Sequence, residues 1–290
     1  MLFAEFADAQ SFYSRRRDRK WMFSYGMGIS TYHGDLYSFN DDALQGVNWN
    51  AGIGLRRELG SQLSLRLDFN TYRLQAVDSL ENQSALFPNQ DAPDRAQRNL
   101  SFRARNYELS LMAIFNLIPV NGNYSTRPIL NPYIFIGFGF TTNNPQANYQ
   151  GEWHDLRELQ TEGKSYGSIA TIIPYGIGLR LKANQFIDIL FEIGRRTTNT
   201  DRLDDVSQRH VDLSIFDQTH AGYPERIALA KALSDRAQEA GFPARGKRRI
   251  RGHDDKNDAY YIYQIRLEMY LPDGFLKNLF SPTKRKPKFR

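Results

Sequence analysis

Eight stretches of this chain alternate apolar and polar residues with a period of two, and this alternation restricts it to β-structure more tightly than any other feature. They are 21–32, 47–57, 62–72, 105–117, 132–142, 168–182, 185–195 and 260–270. In the first, Trp21, Phe23, Tyr25, Met27 and Ile29 share one parity, opposite Ser24, Gly26, Gly28 and Ser30. In the third, Leu63, Leu65, Leu67 and Phe69 oppose Ser64, Arg66, Asp68 and Asn70. Globular strands average about 5 to 6 residues, whereas a tilted strand crossing a bilayer needs about 9 to 11. These segments have the second length.

The connections alternate too. The gaps 32–47, 72–105, 142–168 and 195–260 are long; 57–62 and 182–185 are tight, and 117–132 is intermediate. Long loops on one side and short turns on the other are the pattern of an outer-membrane barrel. Charge sets the facing, because an arginine turned to lipid at mid-bilayer costs about 2 to 4 kcal/mol. Arg56, Arg66, Asp68, Glu108, Arg180, Asp188, Glu192, Arg266 and Glu268 are therefore expected inside, paired with one another. A soluble β-sandwich would instead put Trp49, Tyr175 and the Leu63, Leu65, Leu67 row in a core, but sandwiches use shorter strands. The expectation is an all-β, eight-stranded antiparallel transmembrane barrel with long extracellular loops. Gly34, Asn144 and Gly222 then lie outside the cell, and Gly60, Gly122 and the C-terminal tail in the periplasm.

Composition narrows the chemistry. A mean hydropathy of −0.58 and the lack of a long uncharged run exclude a helical span. With no cysteine there is no disulfide, thiolate metal site or Cys nucleophile. The net charge of +6 is accounted for by one end: Lys277, Lys284, Arg285, Lys286, Lys288 and Arg290 follow Leu276 without an acid. These basic runs lack interleaved aromatic platforms, so no nucleic-acid partner is expected. Ala7-Asp8-Ala9 resembles a signal-peptidase site. The division is thus a signal remnant and basic periplasmic arm over 1–20, a barrel over 21–271 and a basic periplasmic tail over 272–290. Such tails suit anionic head groups or an acidic partner.

The last long loop carries a short amphipathic helix, opened by Pro224-Glu225, running to Ala240 and stopped by Gly241. It is expected to pack on neighbouring loops. All five histidines, His33, His154, His210, His220 and His253, fall in outer loops, several near Asp35, Asp155, Asp212 or Asp254. They offer material for acid–base work, but no Gly-x-Ser-x-Gly and no helical zinc spacing accompanies them. Asp201, Asp204 and Asp205 offer oxygens to Ca²⁺ but lack the glycine and terminal Glu of an EF-type loop, and are expected to form a solvated acidic loop. No catalytic residue, cofactor or metal ligand is assigned.

Several loop motifs, taken in order, carry a family resemblance. They are Tyr32-His33-Gly34-Asp35-Leu36, Arg98-Asn99-Leu100-Ser101-Phe102, Trp153 with the run from Leu156 to Gly163, and Thr200-Asp201 with Leu203-Asp204-Asp205-Val206-Ser207. Leu233-Ser234-Asp235-Arg236 and Arg251-Gly252 leading to Asn257-Asp258 and Tyr260 complete them. Together they resemble PorG-type proteins of Bacteroidota, outer-membrane barrels of the type IX secretion system. The resemblance implies a non-catalytic component whose partners are outer-membrane lipid and a periplasmic ring, built from a PorK-type lipoprotein and a PorN-type protein. A passive structural or adhesive barrel, or an outer-membrane enzyme using loop His and Asp residues, are the alternatives.

Overall fold

Strands this long leave many backbone groups to satisfy, and the chain does so by closing the sheet on itself. The computed structural model describes residues 20–36, 48–78, 97–120, 126–247, 249–253 and 256–272. In chain order come β1 (Trp21–His33), β2 (Asn48–Glu58), β3 (Leu63–Val77), β4 (Ser101–Asn116) and β5 (Leu130–Thr142). Two short strands follow, β6 (Gln146–Tyr149) and β7 (Glu152–Asp155), then β8 (Ile169–Lys182), β9 (Ile187–Thr198) and β10 (Ala259–Tyr270). The eight long strands pair antiparallel with their neighbours, β5 with β8, and β10 returns to β1. Closure leaves no open edge, the condition a sheet must meet inside hydrocarbon. At the tight ends, Leu59 and Gly60 amides donate to Leu63 O, and Ala183 and Asn184 amides to Ile187 O.

The parity assigns the faces as expected. Met27, Leu67, Leu111, Ile136, Ile177 and Leu267 all point out and are exposed, forming a continuous apolar belt. A patch of this extent is far beyond what a water-facing surface carries. The inward charges Arg56, Arg66, Asp68, Glu108, Asp188 and Glu268 are fully buried.

Several expected boundaries are corrected. β3 and β4 run beyond 72 and 105, pairing up to Val77 with Ser101. The inward residues Leu74, Phe102 and Ala104 keep the alternation there, but the outward parity turns from apolar to Arg73, Gln75, Arg103 and Arg105. The strands have left the apolar belt without ending. The long loop after β5 holds the β6–β7 hairpin, turned by Gln150 and Gly151 at positive φ. The single expected helix to Ala240 is two: α3 (Pro224–Ser234) ends at extended Asp235, and a 3-10 turn covers Ala237–Ala240. Two shorter helices precede it, α1 (Leu156–Leu159) and α2 (Ile215–Thr219).

These outer elements are a packed layer. Leu100, Leu156, Leu203, Phe216 and Leu233 join Tyr32 and Phe102 from the strand ends in one buried cluster. As expected, α3 packs on its neighbours, burying Ala230 and Leu233. Gly122, residues 1–19 and the tail from 273 lie outside the described residues.

Candidate functional site

Two polar assemblies define what the molecule can do, one inside the barrel and one in the cap above it. In the barrel, charge is paired layer by layer. Nearest the short turns, Arg127 grips Asp188 through Nε and Nη2, at 2.9 and 2.6 Å. Above it, Arg56 binds Glu268 through two N–H groups at 2.9 and 2.8 Å, with Arg180 at 3.5 Å from the same carboxylate. In the next layer Arg66 donates to Asp68 at 2.9 Å and to both oxygens of Glu192 at 2.5 and 3.0 Å. Arg266 closes that layer on Asp68 at 2.9 Å, and the Tyr133 hydroxyl donates to Glu192 at 2.6 Å. Higher still, Gln264 donates to Asn50 and Asn70, and Glu108 accepts from Tyr260 at 2.7 Å with Arg196 at 3.5 Å. The layers fill the barrel from turn side to loop side. An eight-stranded barrel has an interior just wide enough for its side chains, and here those side chains tie one another together.

The cap is held by a second network, and most of it comes from the motifs that carry the family resemblance. Arg98 binds Asp78 with two bonds of 2.7 Å and donates to the carbonyls of Arg251 and Asp35. Glu162 accepts from the Ser207 and Gln208 amides and from Arg251 at 2.9 Å. Asp258 accepts from the Tyr32 hydroxyl and, at 2.8 Å, from the Leu203 amide. Ser234 donates to Thr161 O at 2.7 Å, and Arg236 to Ser101 at 2.9 Å. Gly34 and Gly252 serve close approach: a Cβ on the first would strike Asp258 and Tyr32, and on the second Asp35 and the Ser207 amide. Each motif therefore pins one outer loop to another.

The three aspartates of the expected acidic loop are not a solvated group. Asp204 and Asp205 are buried, and they face different partners. Asp204 accepts from the Val206 amide at 2.9 Å, while Asp205 accepts from Thr161 and, at 2.7 Å, from Tyr166. Burial pushes Asp204 and Asp258 well above the usual carboxylate range, backed by repulsion from Asp258 and Asp35 on the first and from Asp201 and Asp35 on the second. Burial also raises Asp201 to about 7 and Asp205 to about 6. Solvation was lost because Leu203 and Val206, which flank these acids, are core residues and draw the turn inward. Among the described residues no group of three or more acidic or histidine side chains is arranged to hold a metal ion.

The histidines are distributed across the cap. His253 Nδ1 lies 3.3 Å from Asp35 Oδ1, and its amide donates to the other oxygen of the same carboxylate. His220 Nε2 meets the Leu159 carbonyl at 2.9 Å. His210 is buried, and burial with Arg251 nearby lowers it to about 4, so it is a neutral ring at pH 7. His154 sits on the β6–β7 hairpin beside Glu158 and Arg226, and His33 ends β1 with its ring against Tyr261. Asp155 binds Asn144 and Gln146, Asp212 caps Ser214, and Asp254 lies outside the described residues. One apolar concavity is lined mainly by outward side chains such as Met27, Trp49, Ile134 and Phe191, and so opens on the belt.

Asp78 and Glu162 were missed as functional anchors by sequence reasoning. Glu162 does lie within a quoted motif, and Arg98 and Arg251 head two others, so the signal was present without its partner being legible.

No protein-family model and no curated protein matches the sequence. Solved structures similar in fold include Neisserial surface protein A, at 9% identity and a TM-score of 0.41, covering 88% of this chain and 98% of that one. Ail, the attachment invasion locus protein of Yersinia pestis, aligns at 10% identity and TM-score 0.39 over 86% of this chain and 97% of its own. A major outer membrane protein from Thermus thermophilus aligns at 10% and 0.38, over 86% and 98%. The fold itself is defined by the strand closure: a closed antiparallel eight-stranded barrel of the outer-membrane type.

Proposed function

We propose that the chain is a non-catalytic, sealed barrel of the bacterial outer membrane that anchors a periplasmic assembly. The observation that carries this is the lumen: paired charges fill it from Arg127–Asp188 to Arg196–Glu108. Work is then done at the faces of the barrel, and the apolar belt supplies the hold on lipid. The loop motifs support a more specific role, because they resemble the PorG-type barrels of type IX secretion, whose partner is a ring of PorK-type lipoprotein and PorN-type protein.

On the periplasmic side the segments available to such a ring are the turns at 59–62 and 183–186, the 117–130 connection, the N-terminal arm and the basic tail. Deleting 284–290, or shortening 122–128, is expected to weaken co-purification of ring proteins while the barrel still inserts. The contribution of the tail should fall as salt rises, since exposed charges are screened over about 8 to 10 Å. Loss of the whole protein should block secretion of type IX cargo, and replacing the five histidines with alanine should not. Normal cargo secretion in a clean deletion strain without a paralogue would refute the anchor and leave a passive structural barrel.

A further inference from the structure

Where β3 and β4 leave the apolar belt, they carry three arginines on the outward face. Arg73 and Arg105 are direct register partners, and Arg103 follows on the same face of β4. All three are exposed, and among the described residues none makes an ion pair. Like charges directly opposite in a sheet destabilise it. The barrel shows how the chain treats the same problem inside, where Arg56 and Arg66 are also register partners. There each guanidinium is neutralised, by Glu268 and by Asp68 with Glu192. Outside, the outward neighbours Thr71, Gln75 and Ser101 are neutral, and Asp155 of the adjacent hairpin is taken by Asn144 and Gln146. Among the described residues the like-charge pair therefore meets no carboxylate, and an anion from beyond the protein would neutralise it.

The three side chains are also pre-positioned. Arg73 lies over Trp49 with 5.1 Å to the ring centroid, Arg105 over Tyr107 at 5.8 Å, and Arg103 over Trp153 at 3.4 Å. Arg103 is steadied further by donating from Nε to Gln146 at 3.3 Å. A guanidinium held over a ring face loses conformational freedom while keeping N–H donors free for phosphate oxygens. Height identifies the source. Tyr107, stacked on Phe69 at 6.2 Å, tops the belt on β4; Arg105 lies two residues beyond it, and its register partner Arg73 lies two residues beyond Thr71, the partner of Tyr107. Two residues advance a strand by about 6 to 7 Å, which brings the guanidiniums from the edge of the hydrocarbon to head-group level, on the side of the cap.

We infer that Arg73, Arg103 and Arg105 form a binding site for the phosphorylated head group of an outer-leaflet glycolipid. The inference rests on the belt being embedded in the outer membrane with the cap outside, and it adds a specific lipid contact to that placement. The test uses the full chain in detergent, with bisphosphorylated lipid A as probe and native mass spectrometry as readout. Wild type should retain the lipid, and dephosphorylated lipid A should bind about tenfold or more weakly. The triple variant R73Q/R103Q/R105Q should lose bisphosphorylated lipid A to the same degree, whereas R226Q, at an exposed cap position, should not. Inorganic phosphate at the same concentration should fail to displace the lipid. Equal binding of the dephosphorylated lipid, equal binding by the triple variant, or displacement by inorganic phosphate would each overturn the proposal. Failure of the belt assignment is seen separately, as wild-type protein that carries no detergent micelle at all.

Discussion

Replacing Arg66 with leucine removes the residue on which one lumen layer turns. Its guanidinium is completely buried and holds Asp68 at 2.9 Å and both oxygens of Glu192 at 2.5 and 3.0 Å. With Arg66 gone, Arg266 is left to serve both acids, at 2.9 Å from Asp68 and 3.8 Å from Glu192. Breaking a buried pair by removing one partner costs about 3 to 5 kcal/mol. At the roughly 2 to 4 °C per kcal/mol typical of large domains, the folded band on a heat-modified gel should disappear about 6 to 20 °C earlier. The control is Arg226→Leu, whose pair with Glu158 at 2.8 Å is exposed on both sides and is worth about 0 to 1 kcal/mol. Adding Glu192→Gln to Arg66→Leu should recover part of the loss, because the orphaned charge leaves with its partner. Equal heat resistance of the Arg66 and Arg226 variants would refute a charge-paired, sealed lumen.

Orientation is tested with surface-accessible tags: one at Gly222, a positive-φ position with open space around it, should be labelled in intact cells, and one at Gly60 should not. The opposite pattern would invert the barrel. The cap should weaken with alkali. Asp204 and Asp258 titrate above their unfolded value near 3.8, so the folded cap keeps protons that the unfolded one releases, and its stability falls as pH rises above that unfolded value towards the raised folded one. Asp204→Asn removes that contribution and places an N–H₂ donor where a carboxylate repelled Asp258. Hydrogen exchange at the Leu203 and Val206 amides should then depend less steeply on pH than in wild type; an unchanged slope would refute a raised Asp204 as the source of the pH dependence.

The barrel was legible because a lipid-facing strand must show its apolar parity for about 9 to 11 residues, and stretches such as 21–29 and 261–269 do so without interruption. The same signal failed where lipid stopped. Residues 73–77 and 101–104 remain strand, but their outward face is read as loop once arginine replaces leucine. The cap was legible only as motifs. Nothing local in Asp204 or Asp258 marks them as buried; Tyr32 and Leu203, far away in sequence, make Asp258 so. Conversely the helix near 224 was visible from Pro224, while its early end was not, because Asp235 turns to accept the Ala237 and Arg245 amides.

The claim that the lumen is filled, and that the molecule holds partners at its faces and passes no solute, is tested most directly by electrical recording from the purified chain in a planar bilayer. The paired layers from Asp188 to Glu108 predict no discrete conductance steps above the leak of the bare membrane. Reproducible unitary steps from the wild-type protein would contradict it.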